Sequence, residues 1–209
     1  MFRCCWALAL VLAAASPATA DLIIVEPDDF AVGADLSNPA KGLHLSTALS
    51  DNSPVPLFVV RAAADNLAST GKLVFSHVGI PFFNDIRRLR MDFDTPASAI
   101  TIDYIDSGFF GTEFAHLNVY GKGGVLLQSV TSGVHPAGVV EPLSITRPTN
   151  DIQFAVAYSD GLTFGRFDFL RTEVGPTAVV PEPSTALLGA MGGAAWGFAS
   201  WGRRRKAVR

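Results

Sequence analysis

The stretch RLRMDFDTPASAITIDY, residues 88–104, contains two runs that alternate with a period of two. Leu89, Met91 and Phe93 are apolar while Arg88, Arg90, Asp92 and Asp94 are charged, and Ile100, Ile102 and Tyr104 alternate with Thr101 and Asp103. Successive strand side chains point to opposite faces, so each run predicts a strand with one wet face. Ile152, Phe154, Val156 and Tyr158 form a third run, whose other face is small, with Gln153, Ala155 and Ala157. Turn chemistry separates such runs: Gly121-Lys122-Gly123-Gly124 between Tyr120 and Val125 predicts a hairpin, and Ser159-Asp160-Gly161 marks a second turn. The apolar phase moves from Leu162 and Phe164 to Phe167 and Phe169, which predicts a bulge at Gly165. Only Phe82 to Arg87 suggests a turn or two of helix. Many short strands between Gly/Pro turns predict an all-β domain, a two-sheet antiparallel β-sandwich of jelly-roll type.

Composition limits what this domain can do. The chain has 209 residues, 49% hydrophobic and 17% charged, too apolar for disorder. Its net charge of −3 hides an asymmetry, because five of sixteen basic residues lie in the last seven positions. Residues 21–178 alone hold ten basic and eighteen acidic side chains, a net of −8, which argues against a nucleic-acid partner. Cys4, Cys5, Trp6, Trp196 and Trp201 all fall in the two ends.

Those ends read as routing signals. Arg3, the apolar run from Trp6 to Ala15 and the small-x-small pattern Ala18-Thr19-Ala20 predict a signal peptide over residues 1–20, cut after Ala20 by signal peptidase. The apolar run is about half the ~20 residues that a spanning helix needs. Cleavage removes both cysteines, so the exported domain holds no thiol. At the other end Pro181-Glu182-Pro183-Ser184 precedes eighteen uncharged residues, Thr185 to Gly202, and then Arg203-Arg204-Arg205-Lys206. Eighteen residues at ~1.5 Å each make a helix of roughly 27 Å, enough for a single transmembrane helix over 185–202. The basic tail, 203–209, belongs on the cytoplasmic side, leaving the domain outside.

The segment 179–209 resembles the PEP-CTERM sorting signal of Gram-negative bacteria in the order and spacing of its three parts. The resemblance implies recognition of Pro181, Glu182 and Pro183 by an exosortase, a membrane protease that removes the helix. Arg203 to Lys206 would be the cytoplasmic stop, and the inner-membrane anchor would be transient. Delivery to the cell surface or an extracellular polysaccharide matrix follows from the same resemblance. Two prolines around one residue hold the backbone extended and unable to pair in a sheet, as a protease cleft requires. A looser resemblance links Glu26-Pro27-Asp28-Asp29-Phe30, Gly33-x-Asp35-Leu36-Ser37 and Gly165-Arg166-Phe167-Asp168-Phe169-Leu170 to galactose-binding-like and carbohydrate-binding jelly rolls.

Candidate sites in the domain each have a bland alternative. Glu26, Asp28, Asp29 and Asp35 near the start and Asp168 near the end would supply hard oxygen ligands for a structural calcium if first and last strands are neighbours. A solvated acidic loop with Asp acting in turns explains them better, since no EF-hand spacing is present, and an outward strand position explains Asp168 equally well. His44, His77, His116 and His135 are scattered without zinc spacing. No Gly-x-Ser-x-Gly elbow is present. Asp92 with Asp94, or Asp103 with Asp106, could form a glycosidase pair, but alternation with Arg90 describes a charged sheet face better. The expectation is therefore a non-enzyme. Tyr104, Tyr120 and Tyr158 offer sugar-stacking rings. Phe109 and Phe110, between Gly108 and Gly111, either meet a ligand or lie buried in a bulged strand. The expected role is an exported module that binds extracellular polysaccharide, or a structural matrix protein with protein partners.

Overall fold

The computed structural model describes residues 20–107, 114–160 and 164–175, all within the compact unit Met1–Thr177. The signal peptide short of Ala20, the Phe109/Phe110 loop and the whole sorting segment, Pro181 to Lys206, lie outside these residues. The described residues form ten strands: β1 (Asp21–Val25), β2 (Leu43–Ala48), β3 (Val60–Ala64), β4 (Leu73–His77), β5 (Arg88–Ile105), β6 (Ala115–Tyr120), β7 (Leu126–Thr131), β8 (Val140–Thr146), β9 (Ile152–Ser159) and β10 (Arg166–Val174). Every ladder is antiparallel, eight strands joining one large sheet while β3 and β4 form a small one.

The two alternating runs at 88–104 are halves of one 18-residue strand, β5. Its first half pairs with β2 and β9, its second half with β10 and β8. The exchange happens around Thr95-Pro96-Ala97. Pro96 has no N–H to give a ladder, so pairing lapses there without an orphaned donor. Ala97 and Ala99 face Val174 and Glu173, two consecutive residues of β10, so Ser98 is an extra residue on β5. That bulge moves the buried phase from odd positions, Leu89 and Met91, to even ones, Ile100, Ile102 and Tyr104. One strand thereby serves two layers, β2-β5-β9-β6-β7 and β8-β5-β10-β1, in the manner of a sandwich corner. A single core cluster takes Leu89 and Met91 from one half, Ile100 and Tyr104 from the other, and Leu117, Leu143 and Phe167 from their neighbours.

The Tyr120–Val125 hairpin forms as expected, with Gly123 and Gly124 at φ 74° and 76°. Four local expectations are corrected. In β9 the small residues Ala155 and Ala157 face the core, while Phe154 and Tyr158 face outward, because small side chains let the opposite layer approach. The β10 bulge lies at Phe169, between Asp168 and Arg171, with Phe169 at φ 43°, and it buries Asp168 completely. Residues 82–87 form no helix, and Asn84 and Arg87 instead exchange backbone bonds in a tight turn. Ser159-Asp160 ends β9 but begins no hairpin, since β9 and β10 are separated by β5.

Gly165 is needed for space rather than for a bulge. A Cβ there would lie 2.6 Å from Ser159 Cβ and 2.9 Å from Tyr104 Cε2, where the far ends of β9 and β5 meet. Gly165→Ala should therefore lower stability by about 1–3 kcal/mol through overpacking, read from the midpoint of urea unfolding. An unchanged midpoint would show that Ser159 and Tyr104 yield without cost.

Candidate functional site

The outward turn of β9 builds a face that the sequence did not announce. Registers align two rows, His44, Asp92, Phe154 and Tyr120, then Ser46, Arg90, Val156, Asn118 and Ser129, and beside them Arg88, opposite Ala48, stands over Tyr158, which pairs with His116 and through it with Thr131. Tyr120 and Phe154 stack with centroids 4.6 Å apart at 9°, and His116 stacks on Tyr158 at 4.9 Å. Arg90 Cζ stands 3.8 Å from the Phe154 centroid and Arg88 Cζ 4.0 Å from that of Tyr158. Flat groups thus take both faces of the two central rings, and their edges point outward. Guanidinium planes and aromatic faces attract, which keeps both side chains upright.

Hydrogen bonds fix the same groups. Arg90 binds Asp92 in bidentate fashion at 2.8 and 2.5 Å and donates to the Asn52 carbonyl at 2.7 Å. Arg88 donates to Asn52 Oδ1 at 3.0 Å, and Asn52 Nδ2 donates to the Tyr120 hydroxyl at 3.0 Å. Asn52, at φ 65°, is the point at which a loop is pinned over one side of the face. His116 Nε2 lies 2.6 Å from Asp160 Oδ1 and His44 Nε2 lies 2.9 Å from Asp94 Oδ1. What remains open is a shallow field of planar donors and acceptors around ring edges.

The carboxylates at the start and end of the domain do converge, in part. β1 pairs with β10, which brings Glu26 and Asp28 to Asp168 around the Ser69–Leu73 segment. Asp168 Oδ2 accepts from Ser69 N at 2.9 Å, Ser69 Oγ at 3.0 Å and Thr70 N at 3.2 Å, and its Oδ1 accepts from Phe169 N. Asp28 accepts from Lys72 N and Leu73 N, and Glu26 from Asp28 N and the Thr70 hydroxyl. These oxygens face hydrogens, so the set fits a carboxylate-held loop and not a cation shell. Among the described residues no three His, Cys, Asp or Glu side chains are grouped to hold a metal ion. Asp35 lies elsewhere, accepting from Ser37 N, and Asp29 is exposed. Asp168 is fully buried rather than outward, and burial with the Glu26 charge raises its carboxyl to about 6.

Other sequence candidates separate. Asp92 belongs to Arg90 and Asp94 to His44, so they form no catalytic pair facing a common cleft. Tyr104 is fully buried and unavailable to a sugar. His77 is buried in the β3–β4 sheet, with the Phe58, Phe82 and Phe83 rings 5.5–6.3 Å away and neither ring nitrogen hydrogen-bonded. Burial, then the nearby Arg87 charge, lowers its pKa.

Comparison with known proteins identifies the far end of the chain: residues 179–206 match the family model of the PEP-CTERM protein-sorting motif. The chain carries a PEP-CTERM sorting signal. The sorting signal marks an exported protein handled by an exosortase and anchored in the membrane before processing. No curated protein matches the chain. Solved structures give faint likenesses only. The K2 cleaved adhesin domain of Lys-gingipain is 14% identical, with 73% of this chain and 99% of that chain covered and a TM-score of 0.45. TmCBM61 in complex with β-1,4-galactotriose is 14% identical over 64% and 85%, at 0.36. The enzymatically active domain of bacteriophage CBA120 tailspike protein 4 is 9% identical over 64% and 20%, at 0.38. At these scores they carry no functional argument. Among the described residues no helix is long and apolar enough to cross a membrane, and 185–202 are not among them.

Two buried groups of the described domain titrate in opposite senses. The native state binds Asp168's proton up to about 6, while the unfolded chain releases it near 3.8, so stability falls as pH rises between those values, by on the order of 3 kcal/mol. The lowered pKa of His77 leaves native stability complete above about 6.5 and erodes it as pH falls below. Asp168→Asn should therefore show only the loss in acid, and His77→Phe should gain stability on going from pH 7 to 4.5. Thermal unfolding across that range checks both, and parallel profiles for the two variants would contradict the assignment.

Proposed function

We propose that this is a non-catalytic surface or matrix module, a jelly-roll-like sandwich that holds extracellular polysaccharide on the Arg90–Phe154–Asn118 face. The observation that carries the reading is the set of rows across β2, β5, β9, β6 and β7, which array Asp92, Arg90, Asn118 and His116, with Asp160 held by His116, around ring edges on a domain bearing a sorting signal. Planar amides, carboxylates and guanidinium groups suit paired sugar hydroxyls, and ring edges suit the apolar C–H patches between them. A broad, shallow field suits a long polymer better than a small substrate, which a concave pocket would enclose. The separate engagement of Asp92 and Asp94 supports the absence of glycosidic chemistry.

Retention of residues 21–178 on the source organism's own extracellular polysaccharide tests this, in calcium and in chelator. Wild type should be retained, and Asn118→Trp, which sets an indole in the Arg90 row, should weaken retention at least about tenfold, equivalent to ~1.4 kcal/mol. Because the Asp28 and Asp168 oxygens are hydrogen-bonded, chelator should change little. Failure of wild type to bind in either condition would end the polysaccharide reading in favour of protein partners.

A further inference from the structure

Strand β1 is an open sheet edge among the described residues. It pairs with β10 from Asp21, opposite Val174, to Val25, opposite Leu170, and outside that ladder its backbone makes no hydrogen bond to another described residue. Other edges are guarded. On the free side of β2, Leu45 N donates to the Ser37 carbonyl and the Thr47 carbonyl accepts from Val55 N, while β8 carries Glu141 and Pro142. β1 has neither lysine nor proline. Ile23 and Val25 turn to the core, which leaves Leu22 and Ile24 facing outward, 61% and 50% exposed. An apolar strand with unpaired backbone groups along one side is a template for another strand.

The residues beside this edge indicate which strand fits. On the outer face the registers run Leu22, Glu173, Ala99, Thr146 and Ile24, Arg171, Thr101, Ser144. Each row therefore ends in an apolar residue beside a charge, acidic in one row and basic in the other. Arg171 lacks a close partner in its own chain, since its Nε is buried without a hydrogen bond and its Nη2 stands 3.8 Å from Asp103. Glu173 joins no ion pair among the described residues. In an antiparallel ladder, opposed residues both aim their N–H and C=O groups at each other or both aim them away. An edge that meets a copy of itself therefore opposes even residues to even and odd to odd. Centred on Ile23, this pairs the whole of β1 and sets Leu22 of one copy against Ile24 of the other, so each joined row reads Arg171, Ile24, Leu22, Glu173. Centred on Leu22, it would turn Glu173 toward Glu173 and set Ile24 against Ala20. Centred on Ile24, it would turn Arg171 toward Arg171 and set Leu22 against Glu26. Three strand spacings, ~14 Å, separate the charge-bearing backbones, so charge selects the register while ladder bonds and apolar pairs supply the affinity. We propose that β1 is a homodimer edge, two copies of this chain joining antiparallel about a two-fold axis at Ile23, so that the large sheet runs on from one copy into the next. β1 belongs to the layer that does not carry the Arg90–Phe154–Asn118 face, and the pair presents that face twice.

The test is oxidative cross-linking of the full chain in its host, with Cys4→Ser and Cys5→Ser so that each copy carries one introduced thiol. Leu22→Cys alone, Ile24→Cys alone and the two co-expressed are compared on a non-reducing gel. Directly opposed residues have Cα atoms ~4.5–5.5 Å apart, within disulfide reach. Leu22 and its own counterpart are diagonal in the proposed register, ~8 Å apart, as are Ile24 and its counterpart, and neither pair can be bridged. Disulfide-linked dimer should therefore form in the co-expressed sample at about ten times or more the level in either variant alone. Both positions are at least half-exposed, so the core is untouched; thermal unfolding verifies the fold, and maleimide labelling verifies that the thiols react. Equal cross-linking in all three samples, cross-linking of either variant by itself at the level of the mixture, or none in any sample would overturn the homodimer edge.

Discussion

Strand β5 is hydrogen-bonded to four other strands, and the rest of the domain hangs on how one strand can do that. An ordinary strand has two edges and so two partners. β5 doubles the number by changing partners midway, where Pro96 withdraws a donor and Ser98 adds a residue. The cost of the exchange is a short stretch at the corner with few ladder bonds, where Asp94 N still donates to the Gly42 carbonyl and the exposed Thr95 can be satisfied by water. The gain is that both halves turn their apolar residues onto the same core. The domain achieves this in its described residues without a cysteine or tryptophan, so cohesion rests on aliphatic and phenylalanine packing across two layers.

The polar groups inside this frame act as fasteners between distant segments. Asp168 ties the last strand to Ser69 and Thr70, and Asp28 ties the first turn to Lys72 and Leu73. Gly71 lies between these contacts at φ 51°, and a Cβ there would meet the Asp28 carboxyl at 2.2 Å. The fit explains why a glycine stands within an otherwise polar segment. Placing Glu26 and Asp168 close enough to raise the Asp168 pKa is the electrostatic cost of holding three carboxylates on one loop.

The strand content and the character of β5 were legible because period-two alternation is a local property. The Tyr120–Val125 hairpin was legible for the same reason. What failed was orientation. In β9 the larger residues, Phe154 and Tyr158, should have marked the core by hydrophobicity, yet the neighbouring arginines of β5 and Tyr120 of β6 give them a second, exterior cluster. No window of one strand contains that information, because the pairing of Arg88 and Arg90 with β9 spans over sixty residues of chain. The same holds for His116–Asp160 and His44–Asp94, which scattered histidines gave no sign of. Asp28 and Asp168 hold successive parts of one loop, Lys72–Leu73 and Ser69–Thr70, and whether such oxygens meet hydrogens or a cation is decided by that loop, not by the spacing of the acids in the sequence.

The ladder between Asp21 and Val174 also has a mechanical meaning. Hydrogen bonds of an antiparallel pair lie across the strands. A tether that leaves β10 at Val174 and is pulled outward along the strand loads the bonds to β1 and β5 sideways and together, in shear, rather than opening them one at a time. A domain held to a membrane or matrix by that end would therefore resist traction with the whole length of its last strand.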